Sequence, residues 1–282
     1  MKLLRFGAQG EERPGLLDEA GVIRDLSGHL ADLSGDALNP DSLAELAQLD
    51  TSSLPSVGDD VRIGAPVGGV GKVLAIGLNY ADHAAETKSE LPKEPLLFSK
   101  AVTSICGPND PLIIPRGSVK TDWEVELAVV IGRRITYIPE AEALHCIAGY
   151  VVMNDVSERD YQKNRGGQFI KGKSFDSFGP IGPWLVTPDE VPDCQALNLW
   201  TEVNGKRHQD GTSADMVFSV AHLISYISRF MTLVPGDIIT TGTPPGVGAG
   251  MNPPQFLKSG DRIRLGIEGL GEQDHPVVGF DD

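Results

Sequence analysis

The stretch "TDWEVELAVVIG" (residues 121–132) alternates in the manner of a β-strand. Apolar residues fall on one face, at every second position from 123 to 131, because successive side chains of a strand point to opposite faces. The other face begins with three carboxylates, Asp122, Glu124 and Glu126, and then becomes apolar. An ordinary solvated face does not have this pattern. It predicts a strand that directs Glu124 and Glu126 toward the mouth of a buried surface.

The composition is that of a soluble globular protein, and it narrows the range of partners. The chain has 282 residues, of which 40% are hydrophobic and 22% charged, enough for one large domain or a main domain with a smaller one. The formal net charge of −15 argues against nucleic acid and anionic membrane surfaces, which select basic patches. A small anionic substrate would need a local source of positive charge.

Cysteine usage and the first residues bear on location. No apolar run approaches the roughly 20 residues of a membrane span, and residues 1–15 lack the long apolar segment of a secretion signal. The three cysteines, Cys106, Cys146 and Cys194, are odd in number and far apart, which predicts neither a disulfide framework nor a zinc site. We therefore expect a cytoplasmic protein.

The first quarter of the chain differs from the rest. Residues 1–68 contain short strand patterns separated by Gly and Pro turns, and one helix around "DSLAELAQL" with Asp41 or Ser42 as its N-cap. From residue 69 to 282, short apolar runs such as "KVLAIG", "YVVMND" and "DIITTG" dominate. The chain is therefore predicted to have a small N-terminal β-rich domain (1–68) and a main domain (69–282).

Two local signals shape the main region. The Asn204-Gly205 pair predicts a two-residue hairpin turn. The clearest helix lies within "TSADMVFSVAHLISYISRFMTL", beginning at its Ser/Thr/Asp cluster and stopping before Pro235. Helices are too few for a barrel of alternating strands and helices. We predict an α+β fold built on a mixed, rolled β-sheet.

A third carboxylate, Asp155, ends the apolar strand pattern in "GYVVMND". Strand ends often carry functional side chains, and Mg²⁺ or Mn²⁺ binds a few carboxylate oxygens while leaving positions for water and substrate. Glu124, Glu126 and Asp155 in close proximity would repel one another unless a cation neutralised them. The pattern leaves a second interpretation open, which is a solvated strand edge with Asp155 capping a helix.

A candidate general base follows the strand pattern "VLAIG", where "NYADHAAE" predicts a short helical turn. The i, i+3 spacing places His83 and Glu86 on one helix face, where the carboxylate can orient the imidazole to take a proton from water. Taken alone, the two residues also fit an exposed surface pair.

The remaining candidates are three polar or cationic side chains and one turn rich in glycine and proline. Lys173 occurs among Gly, Ser and Phe residues in a predicted loop, and Arg159 and Gln162 follow Asp155 at the spacing of one helix side. The turn "TTGTPPGVG" (240–248) suits close approach of the backbone to a ligand. It lacks the Gly-Lys-Ser/Thr ending of a phosphate-binding loop.

Six segments in this order resemble the fumarylacetoacetate hydrolase family. They are "GLNYADHAAE", "DWEVELAVVIG", "NDVSERDYQ", "KGKSFDSFGP", "NGKRHQDGTSADMVF" and "PGDIITTGTPPGVG". They span residues 76 to about 248, and the residues before 70 resemble the small N-terminal domain of the family's longer members. Within the family the chain is most similar to bacterial hydrolases of 2,4-diketo-3-deoxy sugar acids, such as those derived from L-fuconate or L-rhamnonate.

The resemblance implies a β-roll, a homodimer and a divalent metal, usually Mg²⁺ with Mn²⁺ as an alternative. The metal ligands would be Glu124, Glu126 and Asp155. A mobile helical lid, residues 80–92, would carry a catalytic dyad of His83 and Glu86. The positions that match substrate contacts are Tyr80, Arg159, Gln162, Lys173 and Thr243, and Lys173 would also stabilise charge during catalysis.

The implied activity is metal-dependent hydrolysis of the C3–C4 bond of a 2,4-diketo acid, which gives pyruvate and a second acid. Two reactions of the same scaffold are alternatives, decarboxylation of oxaloacetate and isomerisation of 2-hydroxyhepta-2,4-diene-1,7-dioate. Neither requires an activated water, so the His83–Glu86 pair favours hydrolysis. A non-catalytic module that binds a metal and a sugar acid would leave this pair without a purpose.

Overall fold

The structure is a computed structural model that describes residues 1–58, 60–86 and 90–282. Over these residues it contains many short strands and few helices, which confirms the predicted mixed α+β class. None of the helices in the described ranges is long and apolar enough to cross a membrane. The predicted lid includes residues 87–89, which lie outside the described residues.

Short strands account for most of the regular structure. In chain order the first ten are β1 Lys2–Phe6, β2 Arg13–Leu17, β3 Ile23–Asp25, β4 Ile63–Gly64, β5 Val73–Gly77, β6 Leu96–Lys100, β7 Ile105–Cys106, β8 Leu112–Ile114, β9 Thr121–Asp122 and β10 Val125–Ile131. The others are β11 Ile147–Asn154, β12 Ser157–Glu158, β13 Gly179–Pro180, β14 Leu185–Val186, β15 Asn198–Val203, β16 Lys206–Thr212, β17 Ile238–Thr240, β18 Arg262–Ile267 and β19 Gly271–Gly279. The α-helices are α1 Pro40–Leu46, α2 Ala81–Glu86, α3 Arg159–Lys163, α4 Ile170–Lys173 and α5 Val220–Ile227.

The alternating stretch at residues 121–132 contributes β10, near the centre of a ten-stranded mixed sheet. The strand order is β3-β2-β1-β14-β11-β10-β17-β5-β6, with β4 paired to β1 outside this order. Every residue of β10 is buried. Leu127 and Val129 enter one hydrophobic cluster, whereas Ala128 and Val130 enter another. The face that carries Glu126 becomes apolar farther along because the sheet is covered on both sides.

A second sheet of five strands, in the order β16-β15-β18-β19-β8, packs against the first. Its side chains Leu199 and Leu265 join the cluster that contains Leu127. Helix α5 contributes Leu223 and Ile227 to the same cluster. These layers hold the central strands β10 and β11 in place at the end where the carboxylates emerge.

The N-terminal strands continue the ten-stranded sheet. Strand β1 pairs with β14 and also with β2 and β4. Leu3 and Leu16 lie in the same hydrophobic cluster as Ala128 of β10. The N-terminal strands therefore share a sheet and a core with the main region, and the division into residues 1–68 and 69–282 stays a prediction.

Helix α1 begins earlier than predicted. Its N-cap is Asn39, not Asp41 or Ser42, and the Asn39 side-chain oxygen accepts a hydrogen bond from the Asp41 N–H at 3.1 Å. Pro40 occupies the first helical position, where the missing N–H would have no partner in any case. The proline is thus part of the helix, and the capping residue lies before it.

The main helix begins later than predicted. The Ser/Thr/Asp cluster forms a separate 3₁₀ turn at Ser213–Asp215, and α5 begins at Val220 with Ser219 as its N-cap. The helix ends at Ile227, several residues before Pro235. Two segments that look like one long helix in the sequence are therefore separated by an extended stretch.

The hairpin between β15 and β16 confirms the Asn-Gly prediction. Asn204 and Gly205 have φ angles of 52° and 76°, and a type I′ turn requires positive φ at both central positions. The two strands run antiparallel as the first pair of the five-stranded sheet. The signal was sufficient because two residues alone set the geometry of such a turn.

Candidate active site

Two neighbouring strands bring the three predicted metal ligands together. Glu124 directly precedes β10, Glu126 lies within it, and Asp155 directly follows β11. Because β10 and β11 pair antiparallel, with Val125 opposite Asn154, the three carboxylates meet at one end of the strand pair. One oxygen atom from each lies within 4.8 Å of the oxygen atoms from the other two.

This carboxylate cluster is buried, which does not fit a solvated strand edge. Glu124 is 5% exposed, and Glu126 and Asp155 are each 1% exposed. Asp155 does not cap a helix, since Glu158 is the N-cap of α3. The two glutamates share a strand face because both contribute to this internal cluster.

Lys173 partly neutralises the carboxylate cluster. Its Nζ donates hydrogen bonds to Glu124 Oε2 at 2.6 Å and to Asp155 Oδ2 at 2.7 Å. Burial disfavours the charged form of Glu124, but Arg159 and Lys173 hold the pKa of Glu124 well below its ordinary value. Lys173 was predicted in a loop; it is in fact the last residue of the short helix α4.

Within the cluster, the negative charge of Glu126 is the least compensated, because its hydrogen-bond donors are neutral groups. It accepts hydrogen bonds from the Thr240 hydroxyl and the Gly242 N–H, while burial, together with Asp155 and Glu124, raises its pKa well above the ordinary value. Oxygens bound about 2.1 Å from one Mg²⁺ can be up to about 4.2 Å apart, so a cluster within 4.8 Å needs little adjustment. The donor set therefore fits a hard divalent cation such as Mg²⁺ or Mn²⁺.

A second buried lysine, Lys100, was not predicted from the sequence. It ends β6, and its Nζ donates to Asp155 Oδ1 at 2.6 Å and to the Val156 carbonyl oxygen at 3.2 Å. Burial lowers the pKa of Lys100 below its ordinary value, although the Asp155 carboxylate acts in the opposite direction. A lysine at the end of "LLFSK" resembles an ordinary solvated strand end, so no local signal identifies it.

Helix α2 carries the predicted dyad. His83 Nδ1 lies 3.3 Å from Glu86 Oε2, and His83 is only 6% exposed, which does not fit an exposed surface pair. Glu86 also accepts hydrogen bonds from the Gly246 N–H, at 3.0 and 3.2 Å to its two oxygens. Glu86 is therefore held from two sides and can orient the imidazole.

The glycine-rich turn at residues 240–248 approaches the dyad. Gly246 has a φ of 104°, and a Cβ at this position would lie 2.0 Å from the His208 carbonyl oxygen. Only glycine fits such a position. In the structure the turn closely approaches Glu86 and the backbone of His208, and its predicted approach to a ligand stays a prediction.

A cavity of about 90 Å³ joins these groups. Its wall contains the three cluster carboxylates and five other predicted site residues, which are His83, Arg159, Gln162, Lys173 and Thr243. The Thr243 hydroxyl is already engaged, since it donates to the Val125 carbonyl oxygen at 2.8 Å. Apolar side chains complete the wall, chiefly Ile76, Leu78, Phe98 and Phe169. The cavity thus combines a charged surface with an apolar one.

Arg159 lines this cavity, and three side chains contact its guanidinium. Its Nε donates to Asp122 Oδ2 at 2.7 Å, and its Nη1 lies 2.7 Å from Glu124 Oε1 and 3.1 Å from Gln162 Oε1. Its buried Nη2 has no hydrogen-bond partner within the described ranges. A buried cationic donor of this kind suits an anionic oxygen, such as that of a carboxylate.

Tyr80 and Glu86 do not line the cavity. Glu86 contacts His83, which does line the cavity. Tyr80 is buried, bridges to Met216 through the backbone, and has a hydroxyl without a hydrogen-bond partner in the part of the chain that is described. Burial, with Glu126 nearby, raises the pKa of Tyr80. A substrate contact would require this hydroxyl to reach the cavity, so that assignment stays a prediction.

Comparison with known proteins identifies the family of the chain. Residues 72–278 match the family model described as fumarylacetoacetate (FAA) hydrolase C-terminal. The chain belongs to the fumarylacetoacetate hydrolase family. A protein of Burkholderia orbicola that is named as a hydrolase, without a substrate in its name, is 62% identical over 274 residues, which cover 97% of each chain.

Two similar solved structures come from enzymes described by different reactions. A Mycobacterium abscessus protein described as a 2-hydroxyhepta-2,4-diene-1,7-dioate isomerase is 33% identical, with a TM-score of 0.82 and 99% of both chains covered. Maleylpyruvate hydrolase from Sphingobium sp. SYK-6, solved with manganese(II) and pyruvate, is 27% identical, with a TM-score of 0.82 and 99% of both chains covered. The family resemblance and the fold are confirmed, and the chain is an enzyme of this family.

Proposed function

We propose that this enzyme hydrolyses the C3–C4 bond of a 2,4-diketo acid (an acylpyruvate) and releases pyruvate and a second acid. The observation that carries the proposal is the shared cavity. His83, oriented by Glu86, lines the same small cavity as Glu124, Glu126 and Asp155. Hydrolysis needs a general base that takes a proton from water, and this base must lie next to the cation that polarises the substrate. Decarboxylation and isomerisation need no activated water.

The 2-oxo carboxylate end of such a substrate matches the charged part of the wall. The unpaired Nη2 of Arg159 suits the substrate carboxylate. A divalent cation held by Glu124, Glu126 and Asp155, Mg²⁺ or Mn²⁺, would supply Lewis-acid polarisation of the 2-oxo group. The similar maleylpyruvate hydrolase was solved with manganese(II) and pyruvate, which supports a divalent cation and a pyruvate-like ligand for this chain as well.

The chain's own residues account for the proton transfers. His83 takes a proton from water, and the resulting hydroxide adds to C4. The C3–C4 bond then breaks, and its electron pair remains on C3 in the enolate of pyruvate. The ammonium group of Lys173, 2.6 Å from Glu124, stabilises this developing negative charge. His83 returns the proton to C3, so one water is consumed for each pyruvate and each second acid formed.

Among acylpyruvates we propose 2,4-diketo-3-deoxy-L-fuconate or 2,4-diketo-3-deoxy-L-rhamnonate as the substrate. The support is the resemblance of "RGGQFIKGKSFDSFGPIGPWLV" and "PPQFLKSGDRIRLGIEGLGEQ" to bacterial sugar-acid hydrolases. A six-carbon deoxy sugar acid would give lactate as the second product. The enzyme would then act in sugar-acid catabolism, and the resemblance also supports a cytoplasmic homodimer.

Isomerisation is the second candidate, because one similar structure is described as an isomerase, and decarboxylation of oxaloacetate is the other alternative reaction of the scaffold. Both reactions pass through a pyruvate-like enolate, so Lys173 and Arg159 would serve them equally well. Neither would use His83 to activate water. A requirement for His83 therefore separates hydrolysis from decarboxylation, and release of a second acid separates hydrolysis from isomerisation.

Pyruvate release tests the proposal. The purified enzyme is incubated with acetylpyruvate, with 2,4-diketo-3-deoxy-L-fuconate or with oxaloacetate, each in Mg²⁺ or in EDTA. We expect EDTA-sensitive pyruvate release from the 2,4-diketo acids, with an equimolar amount of the second acid. Faster turnover of oxaloacetate than of every 2,4-diketo acid, or pyruvate without a second acid, would contradict hydrolysis.

A further inference from the structure

Asp122 connects two parts of the active site without lining the cavity itself. It is fully buried at the end of β9. Its Oδ2 accepts hydrogen bonds from Arg159 Nε at 2.7 Å and from the Ala249 N–H at 3.0 Å. Its Oδ1 accepts from the Gly248 N–H at 2.7 Å and from the Trp123 N–H at 2.9 Å. A buried carboxylate with four donors is held firmly in one orientation.

One of these donors belongs to the group proposed to take the substrate carboxylate. Asp122 binds Nε of Arg159, while Glu124 and Gln162 contact its Nη1. These three neighbours fix the plane of the guanidinium and leave Nη2 for a ligand. The direction in which Nη2 points therefore depends on Asp122.

Two other N–H groups that donate to Asp122 belong to the loop of residues 246–250, which contacts the dyad glutamate. The Gly246 N–H donates to Glu86 Oε1 at 3.0 Å, and a Cβ at Gly250 would lie 2.4 Å from Glu86 Cδ. The chain thus passes directly against the Glu86 carboxylate. Both amides that donate to Asp122 lie between these two glycines, so Asp122 anchors the middle of the loop.

We propose that Asp122 is a positioning residue. It couples the binding of an anion at Arg159 to the position of the Glu86 carboxylate, and thereby to the orientation of the His83 imidazole. The inference rests on the proposed function, in which Arg159 binds the substrate carboxylate and Glu86 orients the base. An anion on Nη2 restrains the guanidinium, the guanidinium restrains Asp122, and Asp122 restrains the loop that contacts Glu86. Because coupling is reciprocal, a seated Glu86 raises the affinity for the anion by the same factor.

The substitution Asp122→Asn tests this connection with little change in shape. An asparagine side chain has one acceptor oxygen, so one of the two pairs of donors loses its acceptor. Asp237→Asn is the matched control. Asp237 is also fully buried, forms an ion pair with Lys72 and accepts a hydrogen bond from the Val234 N–H, but it does not line the cavity.

Oxalate is the probe, because it is a dianion that presents the same chelating oxygens as the pyruvate end of the substrate. Hydrogen exchange of residues 80–86 is measured with Mg²⁺ alone and with Mg²⁺ plus saturating oxalate. We expect oxalate to slow this exchange at least about tenfold in the wild type and in Asp237→Asn, and less than about threefold in Asp122→Asn. Calorimetry should show a weaker oxalate Kd in Asp122→Asn, and kcat for acetylpyruvate should fall about tenfold with a smaller change in KM.

Equal slowing in Asp122→Asn and the wild type would overturn the coupling, and so would an equal loss in Asp237→Asn. If the wild type cleaves no 2,4-diketo acid while oxalate still slows exchange only with Asp122 present, the coupling stands and the proposed reaction is wrong. If Asp122→Asn does not fold, the coupling is tested in the wild type by measuring amide protection as a function of oxalate concentration. Protection of the Gly248 and Ala249 amides must then rise with the same oxalate midpoint as that of residues 80–86, and unchanged protection would overturn the coupling.

Discussion

The carboxylate cluster and the dyad meet in one cavity but are built in different ways. Glu124, Glu126 and Asp155 stand at one end of β10 and β11, two adjacent strands in which every residue is buried. His83 and Glu86 stand on α2, a helix of six residues of which three are exposed. One half of the site is part of the central sheet, and the other half lies on a short helix outside that sheet.

This difference has a physical consequence for each half. A helix of six residues is not stable on its own, so the position of α2 depends on contacts such as the one between Gly246 and Glu86. A central strand exposes its amides only when much of the protein unfolds. We therefore expect the cluster to hold its ligand in a fixed frame, and the predicted lid movement of the dyad stays a prediction.

The largest expected effect lies in amide exchange. With Mg²⁺ alone, residues 80–86 should exchange at least about 10³-fold faster than residues 125–131, because the helix opens locally and the strand only globally. Mass spectrometry of proteolytic fragments measures both regions in one experiment. Oxalate should narrow the difference by slowing residues 80–86. A difference below about tenfold with Mg²⁺ alone would show that the dyad half is as rigid as the sheet.

Removal of Lys100 should destabilise the sheet half, most of all when no metal is present. Lys100→Met leaves the buried Asp155 without one of its two lysine partners, and breaking a buried ion pair costs about 3 kcal/mol. Urea unfolding should show this loss in EDTA and a clearly smaller loss in Mg²⁺, because a cation at the cluster would compensate Asp155.

The control for this experiment is Arg262→Met, which breaks an exposed pair with Asp274 and should not change the unfolding midpoint measurably. Equal losses for Lys100→Met in EDTA and in Mg²⁺ would show that no cation shares Asp155 with Lys100.

Glu126→Gln should weaken metal binding by about tenfold or more, as the loss of one ligand interaction commonly does. The same should hold for Glu124→Gln, and metal-dependent pyruvate release should fall with it. Manganese titration by calorimetry measures the affinity. Glu158→Gln is the control, because Glu158 is equally buried but caps α3. Unchanged metal affinity in both cluster variants would assign the cluster a purely structural role.

The smallest effect is expected at the loop that contacts the dyad. Gly246→Ala and Gly260→Ala both place a side chain at positive φ, 104° and 90° respectively, but only Gly246 would collide with a neighbour. We expect Gly260→Ala to cost about 1 kcal/mol of unfolding free energy with kcat unchanged. Gly246→Ala should also lower kcat severalfold, because the Glu86 seat moves. Equal kcat values in the two variants would separate the loop from the dyad.

Local patterns in the sequence were sufficient where the structure itself is set locally. The alternation in residues 121–132 identified β10, and the Asn204-Gly205 pair identified a turn whose geometry depends on two residues. The helix starts were misplaced because Ser, Asp and Asn are good caps at several neighbouring positions, so only the surrounding structure decides between them. At α1 the decisive residue was Pro40, which moved the cap to Asn39.

Tertiary contacts decided what the sequence could not. The pairing of β1 with β14 joins residues more than 180 positions apart, and no periodicity predicts it. Lys100 and Asp122 are important because their partners are buried with them, whereas each alone looks like an ordinary charged residue in the sequence. Tyr80 is buried and does not line the cavity, so its predicted substrate contact stays a prediction.

The most direct test of the proposed function compares two reactions of His83→Ala. Pyruvate release from acetylpyruvate and decarboxylation of oxaloacetate are measured at saturating Mg²⁺ in this variant and in the wild type, with manganese titration as a check on the cluster. We predict that hydrolysis falls about 10²–10⁴-fold, while decarboxylation and metal affinity change by less than about tenfold, because only hydrolysis needs the activated water. A parallel fall of both activities, or hydrolysis that persists without His83, would contradict it.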